Sequence, residues 1–453
     1  MNSLPVIGIF DIGKTNKKFF LFDDQYRVVC ERTTRITELT DEDGFPCEDL
    51  EHLKNFVLDS LREIQAGKEF DLKTINFSAY GASLVYLGEN GKPLAPLYNY
   101  LKPFPERLSQ QFYRQYGGED TFSMKTASPV LGSLNSGMQL YRFKYENEAA
   151  FAKLGHVLHL PQYLSHLLTG GYYSDMTSIG CHTGLWDFSR KEYHEWVHRE
   201  NLQDFLPPVV AGDRIFPAAS IVGNIKAGIG LHDSSAALIP YLMECKEPFL
   251  LISTGTWSIS LNPFNETPLS LDELKKDCLC YIQSDGRPVK ASRLYAGPVY
   301  EKQLERIASF FGQRVEKYGG MEYDKEIEQA LGFSPELRVG GRGLDTFSKK
   351  ELSDFKNDTE AYHQLMIDLV HAQVYSTKLV LDQSPVRQIF VDGGFSSNKI
   401  FMNLLAVAFP GLEVYAASVP MASALGAALV IEKCWNANAS GKKLVELMRY
   451  TSA

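Results

Sequence analysis

The sequence predicts an α/β protein of two similar lobes facing one cleft, and two observations carry that expectation. A short turn is written twice, about half the chain apart: Gly-Ile-Phe-Asp-Ile-Gly-Lys-Thr-Asn at residues 8–16 and Leu-Ile-Ser-Thr-Gly-Thr-Trp-Ser-Ile-Ser at residues 251–260. Each sets a tight Gly/Thr turn between two apolar strands. Strands, then a helix, then strands again follow the first turn, which is an α/β order. At 453 residues, each half is long enough to bury its own core.

Residues 6–10, 19–22 and 27–33 read as strands, with Asp23, Asp24 and Gln25 turning between the last two. Leu50, Leu53, Phe56, Val57, Leu61 and Ile64 recur at helical spacing and predict a helix over 49–65. Residues 74–80 and 83–87 read as a further strand pair, followed by the turn Gly88-Glu-Asn-Gly91. The stretch 104–170 reads as mostly helical; 151–168 carries one apolar helical face, stopped by Thr169-Gly170-Gly171. A polar, proline-marked stretch at 206–217 leads to Gly228-Ile-Gly-Leu-His-Asp233, and a strand over 248–253 opens the second half. We place the boundary near residue 240, giving domains 1–240 and 241–453. Late in the chain, Leu365, Leu369, Ala372, Ser376 and Leu379 mark one face of a helix over 360–382, ended by Pro385. A strand over 388–391, the turn Asp392-Gly393-Gly394 and a helix over 398–407 follow. The last element, 422–431, is a helix of small residues, which let a backbone or a flat ligand come close.

Composition narrows the function classes. The chain is 44% apolar and 22% charged, as ordinary globular proteins are. Its net charge is −9 and no basic stripe occurs, which argues against a nucleic-acid partner. A small anion remains compatible, because local backbone dipoles bind it against the global charge. No stretch is long and apolar enough to span a membrane. The apolar run 4–10 has no basic leader and Asp11 breaks it, so it reads as a strand rather than a signal peptide. Seven cysteines are scattered, with only Cys278 and Cys280 close together; this fits reduced thiols and a cytoplasmic location.

The turn at 11–16 has the makings of a phosphate site. Gly13 permits a sharp turn, Thr15 and Asn16 offer side-chain donors, and flanking amides can form an anion nest. Asp11, at the end of a buried strand, needs a partner, and a magnesium ion held through water is a natural one. The bland alternative is a hairpin with a turn aspartate. Thr254, Gly255 and Thr256 are as weak alone, and gain weight only as the first turn's counterpart. Gly393 and Gly394 lie between a strand and a helix, where a ligand can approach, and Asn398 opens that helix. Asp233 follows a Gly-x-Gly-Leu-His run and precedes small residues. It suits either an N-cap for a helix starting at Ser234 or the single carboxylate that phosphoryl transfer to an alcohol needs.

Other motifs are missing or conflicting. The P-loop, the Rossmann Gly-x-Gly-x-x-Gly and the Gly-x-Ser-x-Gly elbow do not occur. His194-Glu195-Trp-Val-His198 matches the zinc-peptidase pattern, with both imidazoles as ligands and Glu195 as base if the segment is helical. Arg190, Lys191, Glu192, Arg199 and Glu200 around it describe a solvated helix instead.

Taken together in order, the pieces resemble the FGGY carbohydrate kinases, a branch of the superfamily of actin, hexokinase and the chaperone ATPases. Residues 11–16 resemble the first phosphate motif and 251–258 the second, in its rhamnulokinase-like form. Residues 391–398 are similar to the adenosine motif, 424–428 to the closing helix and 230–233 to the segment of the catalytic base. The resemblance implies two ribonuclease H-like domains around a central cleft, and ATP and Mg2+ as cofactors. It implies transfer of the γ-phosphate to a primary hydroxyl of an open-chain sugar. Asp233 is then the general base and Asp11 the metal ligand. Gly13, Lys14, Thr15 and Asn16 with Thr254, Gly255 and Thr256 cradle phosphates; Gly393, Gly394 and Asn398 lie beside the adenosine. Gly81, Ser83 and His232 match positions that touch the sugar. A homodimer is compatible with this reading.

The chain departs from the family pattern at three places. Lys14 stands where a small residue or Thr is common, and either meets a phosphate or points to solvent. Tyr80-Gly-Ala-Ser83 lacks an acidic residue that relatives carry, and Lys102 follows Tyr100 where they carry an Arg/Asp pair. Fewer carboxylates and one more cation suit an unusual ketose, of the rhamnulose, fuculose or xylulose type, or else a sugar acid or polyol. A non-catalytic sugar or nucleotide sensor on the same fold is the rival of another class.

Overall fold

The computed structural model describes residues 3–219, 223–334, 346–419, 421–436 and 443–451. Two seven-stranded sheets organise it. In the first, strand Leu4–Ile12 is flanked by Lys17–Phe22, antiparallel, and by Phe70–Ala79, parallel. Val28–Thr34 adds beyond Lys17–Phe22, while Lys226–Gly228 and Leu231–His232 add in parallel to Phe70–Ala79. The second sheet repeats the plan. Strand Phe249–Thr254 is flanked by antiparallel Ser258–Asn262 and by parallel Gln388–Gly393. Pro288–Leu294 and Glu413–Ser418 extend it on the two sides. The hairpin turns at 13–16 and 255–257 therefore occupy equivalent places in two equivalent sheets.

Both leading strands are buried on both faces, which is why they read as nearly unbroken apolar runs. Val6, Phe10 and Ile12 pack toward helix Leu50–Ala66, whose Leu50, Leu53, Val57, Leu61 and Ile64 form the facing stripe. Ile7 and Ile9 point the other way, onto Ala424, Ala427 and Ala428 of helix Ala422–Val430. In the second sheet, Leu250 and Ile252 pack with helices Asp358–Leu381 and Lys399–Ala408, while Phe249 and Leu251 meet helix Asp233–Glu244. Period-2 alternation thus sends each strand's two faces to different helices.

Helices Asp233–Glu244 and Ala422–Val430 lie between the sheets and against each other. A β-carbon on Gly426 would lie 1.8 Å from the Ala236 carbonyl oxygen, so only glycine admits this approach. Asn76, fully buried in the first sheet, donates to the Ala427 carbonyl (2.7 Å) and accepts from the Gly230 amide (3.1 Å). It joins the late helix to the loop that carries Asp233.

Two sequence expectations need correction. Residues 151–168 are not one helix: Leu154–His159 is a strand, and the helix begins at Leu160 with Pro161 in its first turn. Gly155 and β-branched Val157 weaken helix there, and Pro161 favours a helix start. Strand Leu84–Gly88 does not pair with the strand before it; its partner is Leu154–His159. Gly426→Val is expected to lower the urea unfolding stability by about 1–3 kcal/mol, the usual cost of overpacking. An unchanged midpoint would contradict this account of the helix contact.

Candidate active site

Asp11 lies near the end of its strand on the face opposite Phe10 and Ile12. Its carboxylate accepts from the Ser423 hydroxyl at 2.9 Å, so the first sheet and the late helix meet at this oxygen. Burial, with the charge of Asp233 adding to it, pushes the Asp11 carboxyl up to about 6. The turn beyond is closed by the Gly13 amide donating to the Asn16 carbonyl (3.0 Å). Among the described residues, the amides of Lys14, Thr15 and Asn16 meet no protein acceptor.

Asp233 is the first residue of its helix rather than the residue before it, and the Ser234 amide donates to its carboxylate at 2.6 Å. About a third of the side chain is open. Its surroundings still push the carboxyl up to about 6 by burial. His232, immediately before, is buried with Nε2 3.2 Å from the Asp233 carboxylate and 3.1 Å from Cys181 Sγ. Burial drives this imidazole down to about 3, so it is neutral at physiological pH. Its backbone amide donates to Thr177 Oγ1, and that hydroxyl bonds the fully buried Asp175. Gly81 closes the group: a β-carbon there would lie 2.4 Å from Cys181 Sγ and 2.9 Å from the His232 ring. Tyr281, from the second sheet, stacks on His232 at 5.5 Å.

The second hairpin is tied to the Asp392-Gly393-Gly394 turn. Thr254 Oγ1 donates to the Asp392 carbonyl (2.6 Å) and accepts from the Phe395 amide (3.0 Å). Gly393 has φ 87° and would place a β-carbon 1.9 Å from the Thr254 carbonyl oxygen, so glycine is required twice over. Gly255 and Thr256 are exposed, and open space lies above Gly255 and Gly394. Tyr241, on the Asp233 helix, donates to the Asp392 carboxylate at 2.8 Å.

Comparison with known proteins identifies the family. Residues 6–239 match the N-terminal domain of the FGGY family of carbohydrate kinases, and residues 246–440 match the FGGY carbohydrate kinase C-terminal domain. The chain belongs to the FGGY family of carbohydrate kinases. A rhamnulokinase of Mannheimia succiniciproducens is 23% identical over 275 residues, 56% of this chain and 52% of that protein. One of Bacteroides thetaiotaomicron is 25% identical over 223 residues, 47% of this chain and 44% of that protein. The chain thus spans about half the length of the curated relatives it matches. Among solved structures, a carbohydrate kinase from Novosphingobium aromaticivorans superposes with a TM-score of 0.79 at 22% identity, over 98% of this chain and 96% of that one. A xylulose kinase from Lactobacillus acidophilus gives 0.80 at 14% identity, over 99% and 94%. A gluconate kinase from the same organism gives 0.78 at 15% identity, over 100% and 94%. The fold is the two-domain actin-like ATPase fold.

Several of the expected site residues have protein partners of their own. The Lys14 ammonium pairs with Glu38 (2.7 Å) and Glu48 (3.0 Å). Lys102 is buried against Asp41 (2.5 Å) and Asp43 (2.7 Å), which neutralise the cation expected for the sugar. Asn398 is the N-cap of its helix, accepting from the Phe401 amide while donating to the Tyr362 hydroxyl. Ser83 is 1% exposed, and its hydroxyl is sealed from solvent. The zinc-peptidase reading fails on geometry. His194 is a buried N-cap, His198 is exposed one turn on, and Glu195 pairs with Arg199 and Lys125. No cluster of three potential metal ligands occurs among the described residues. All seven cysteines are free, and no described helix is long and apolar enough to cross a membrane.

Sequence reasoning missed Asp175, Thr177, Cys181, Tyr281 and Ser423, which lie far apart in the chain. Adjacent Cys181 and His182, in Gly-Cys-His-Thr-Gly, were the one available signal. A carboxyl whose folded pKa is raised binds protons more tightly folded than unfolded between pH 4 and 6, so its charge costs stability as pH rises through that window. Asp233→Asn is therefore expected to raise the melting temperature at pH 7.5, with the gain vanishing near pH 4. Equal melting temperatures at both pH values would contradict the buried-charge assignment.

Proposed function

We propose that this protein is a kinase that transfers the γ-phosphoryl group of ATP to a primary hydroxyl of a small open-chain sugar, a ketose of the rhamnulose, fuculose or xylulose type. One observation carries the reading. Asp233 and Asp11, from different elements, raise their carboxyls together beside a turn whose amides have no acceptor. On this reading residues 1–240 hold the sugar, the base and the first phosphate turn, and residues 241–453 hold most of the nucleotide site.

The sugar lies against Gly81 and His232, its reacting hydroxyl on Asp233. Above pH 6 that carboxylate accepts the hydroxyl proton while the oxygen bonds to the γ-phosphorus and the bridging oxygen leaves with ADP. Amides of Lys14 and Thr15 on one side, and of Thr256 on the other, meet the charge on the phosphoryl oxygens, while the Gly255 amide closes its own turn on the Trp257 carbonyl at 2.9 Å. Neutral His232 donates or accepts a hydrogen bond to the sugar without competing for the proton. Two mutually repelling carboxylates suit a divalent cation, and Asp11 would hold Mg2+ through water; the ion supplies charge neutralisation to the triphosphate.

Rhamnulokinases and xylulose kinases among the relatives favour a ketose, and the gluconate kinase represents the acid alternative. A free cation at Lys102 would suit a sugar acid as well as an unusual ketose, and Asp41 and Asp43 neutralise it. The deciding experiment is an ADP-release screen over ketoses, aldoses, polyols and sugar acids. We expect a ketose to respond, with a rate that rises with pH to a plateau above about 6. Asp233→Asn should retain ATP binding and lose on the order of 10²-fold in turnover. Sugar binding without ADP release would identify a sensor, and a response to acids alone would return the argument to Lys102.

A further inference from the structure

Lys17 is an unusual residue to find where it is. It opens the second strand of the first hairpin, directly opposite Ile12, and so points to the face that packs on helix Leu50–Ala66. There it is 1% exposed. Its ammonium donates to the Gly13 carbonyl at 3.0 Å and to the Lys14 carbonyl at 2.9 Å, and pairs with the Glu48 carboxylate at 3.0 Å. Glu48 is itself 4% exposed, and ends the short strand Pro46–Glu48 just before the N-cap of helix Leu50–Ala66. Buried charges persist only when paired and hydrogen-bonded, and all three of these contacts are used.

The consequence follows from the planarity of the peptide unit. In a trans peptide the carbonyl of one residue and the N–H of the next point in opposite directions. An ammonium that fixes the Gly13 and Lys14 carbonyls on one side therefore fixes the Lys14 and Thr15 amides on the other. Those are amides that meet no protein acceptor among the described residues. We propose that Lys17, anchored by Glu48, is a positioning residue of the phosphate turn: it holds two peptide planes from behind so that their N–H groups face the phosphates. Lys14, the more conspicuous lysine, serves this anchor through Glu48 instead of reaching the ligand. Aligning the donors beforehand removes an ordering cost from binding, so the effect is confined to the part of the nucleotide that the turn touches.

The proposal rests on the nucleotide reading of the turn, and the test separates the two. Titration calorimetry compares magnesium AMP-PNP, a non-hydrolysable ATP analogue, with adenosine, which has no phosphates. Wild type, Lys17→Met and Lys17→Met/Glu48→Gln are measured; the double variant removes both buried charges and leaves no unpaired ion if the single one fails to fold. We expect AMP-PNP to weaken by tenfold or more in the variants while adenosine changes by less than about twofold, because a positioning defect is specific to phosphate. Unchanged AMP-PNP affinity overturns the proposal. Equal weakening of both ligands also overturns it, since that reports a general structural loss. A wild type that binds neither ligand overturns the nucleotide reading itself.

Discussion

A β-carbon on Gly426 would lie 1.8 Å from the carbonyl oxygen of Ala236, and the geometry of the cleft depends on that approach. It lets a mid-chain helix and a late one lie against each other between the sheets. Each helix begins at the same place. Asp233 stands in the first turn of one, and Ser423, in the first turn of the other, bonds Asp11. Two helix N-termini directed at one region favour negative groups there. Separating the helices by a side chain would move Asp233 away from Asp11.

The site is held by contacts that cross between elements. Asn76 ties the late helix to the Gly230 loop. Asp175 and Thr177 hold the His232 backbone, and Thr254 holds the Asp392-Gly393-Gly394 turn. Tyr241 then links the Asp233 helix to Asp392 near the end of strand Gln388–Gly393. These polar contacts are buried or nearly so, where a missing partner is expensive. Burial pushes the Asp11 and Asp233 carboxyls up to about 6, between proton acceptor and acid near neutral pH.

Much of this was legible in the chain. The paired turns at residues 11–16 and 253–257 sit where their repetition implied, in equivalent hairpins, because flanking apolar runs are strong strand signals. The small-residue helix announced a close approach, although its partner, Ala236, could not be read. The failures have physical causes. Residues 151–168 misled because an apolar run of strand followed by helix has no single period. Lys14 and Lys102 read as free cations because their counter-ions, Glu48, Asp41 and Asp43, come from elsewhere in the chain. Lys17 went unnoticed because a lysine opening a strand reads as exposed, and only the register against Ile12 turns it inward.

The central claim is that triphosphate and metal lie between the two hairpins, at Asp11. A crystal structure grown with manganese and AMP-PNP tests it most directly through the anomalous signal of the metal. The account predicts one strong peak bound to the Asp11 carboxylate, directly or through water, with the phosphates between residues 13–16 and 254–256. A manganese peak remote from Asp11, or a nucleotide bound outside the two turns, would contradict it.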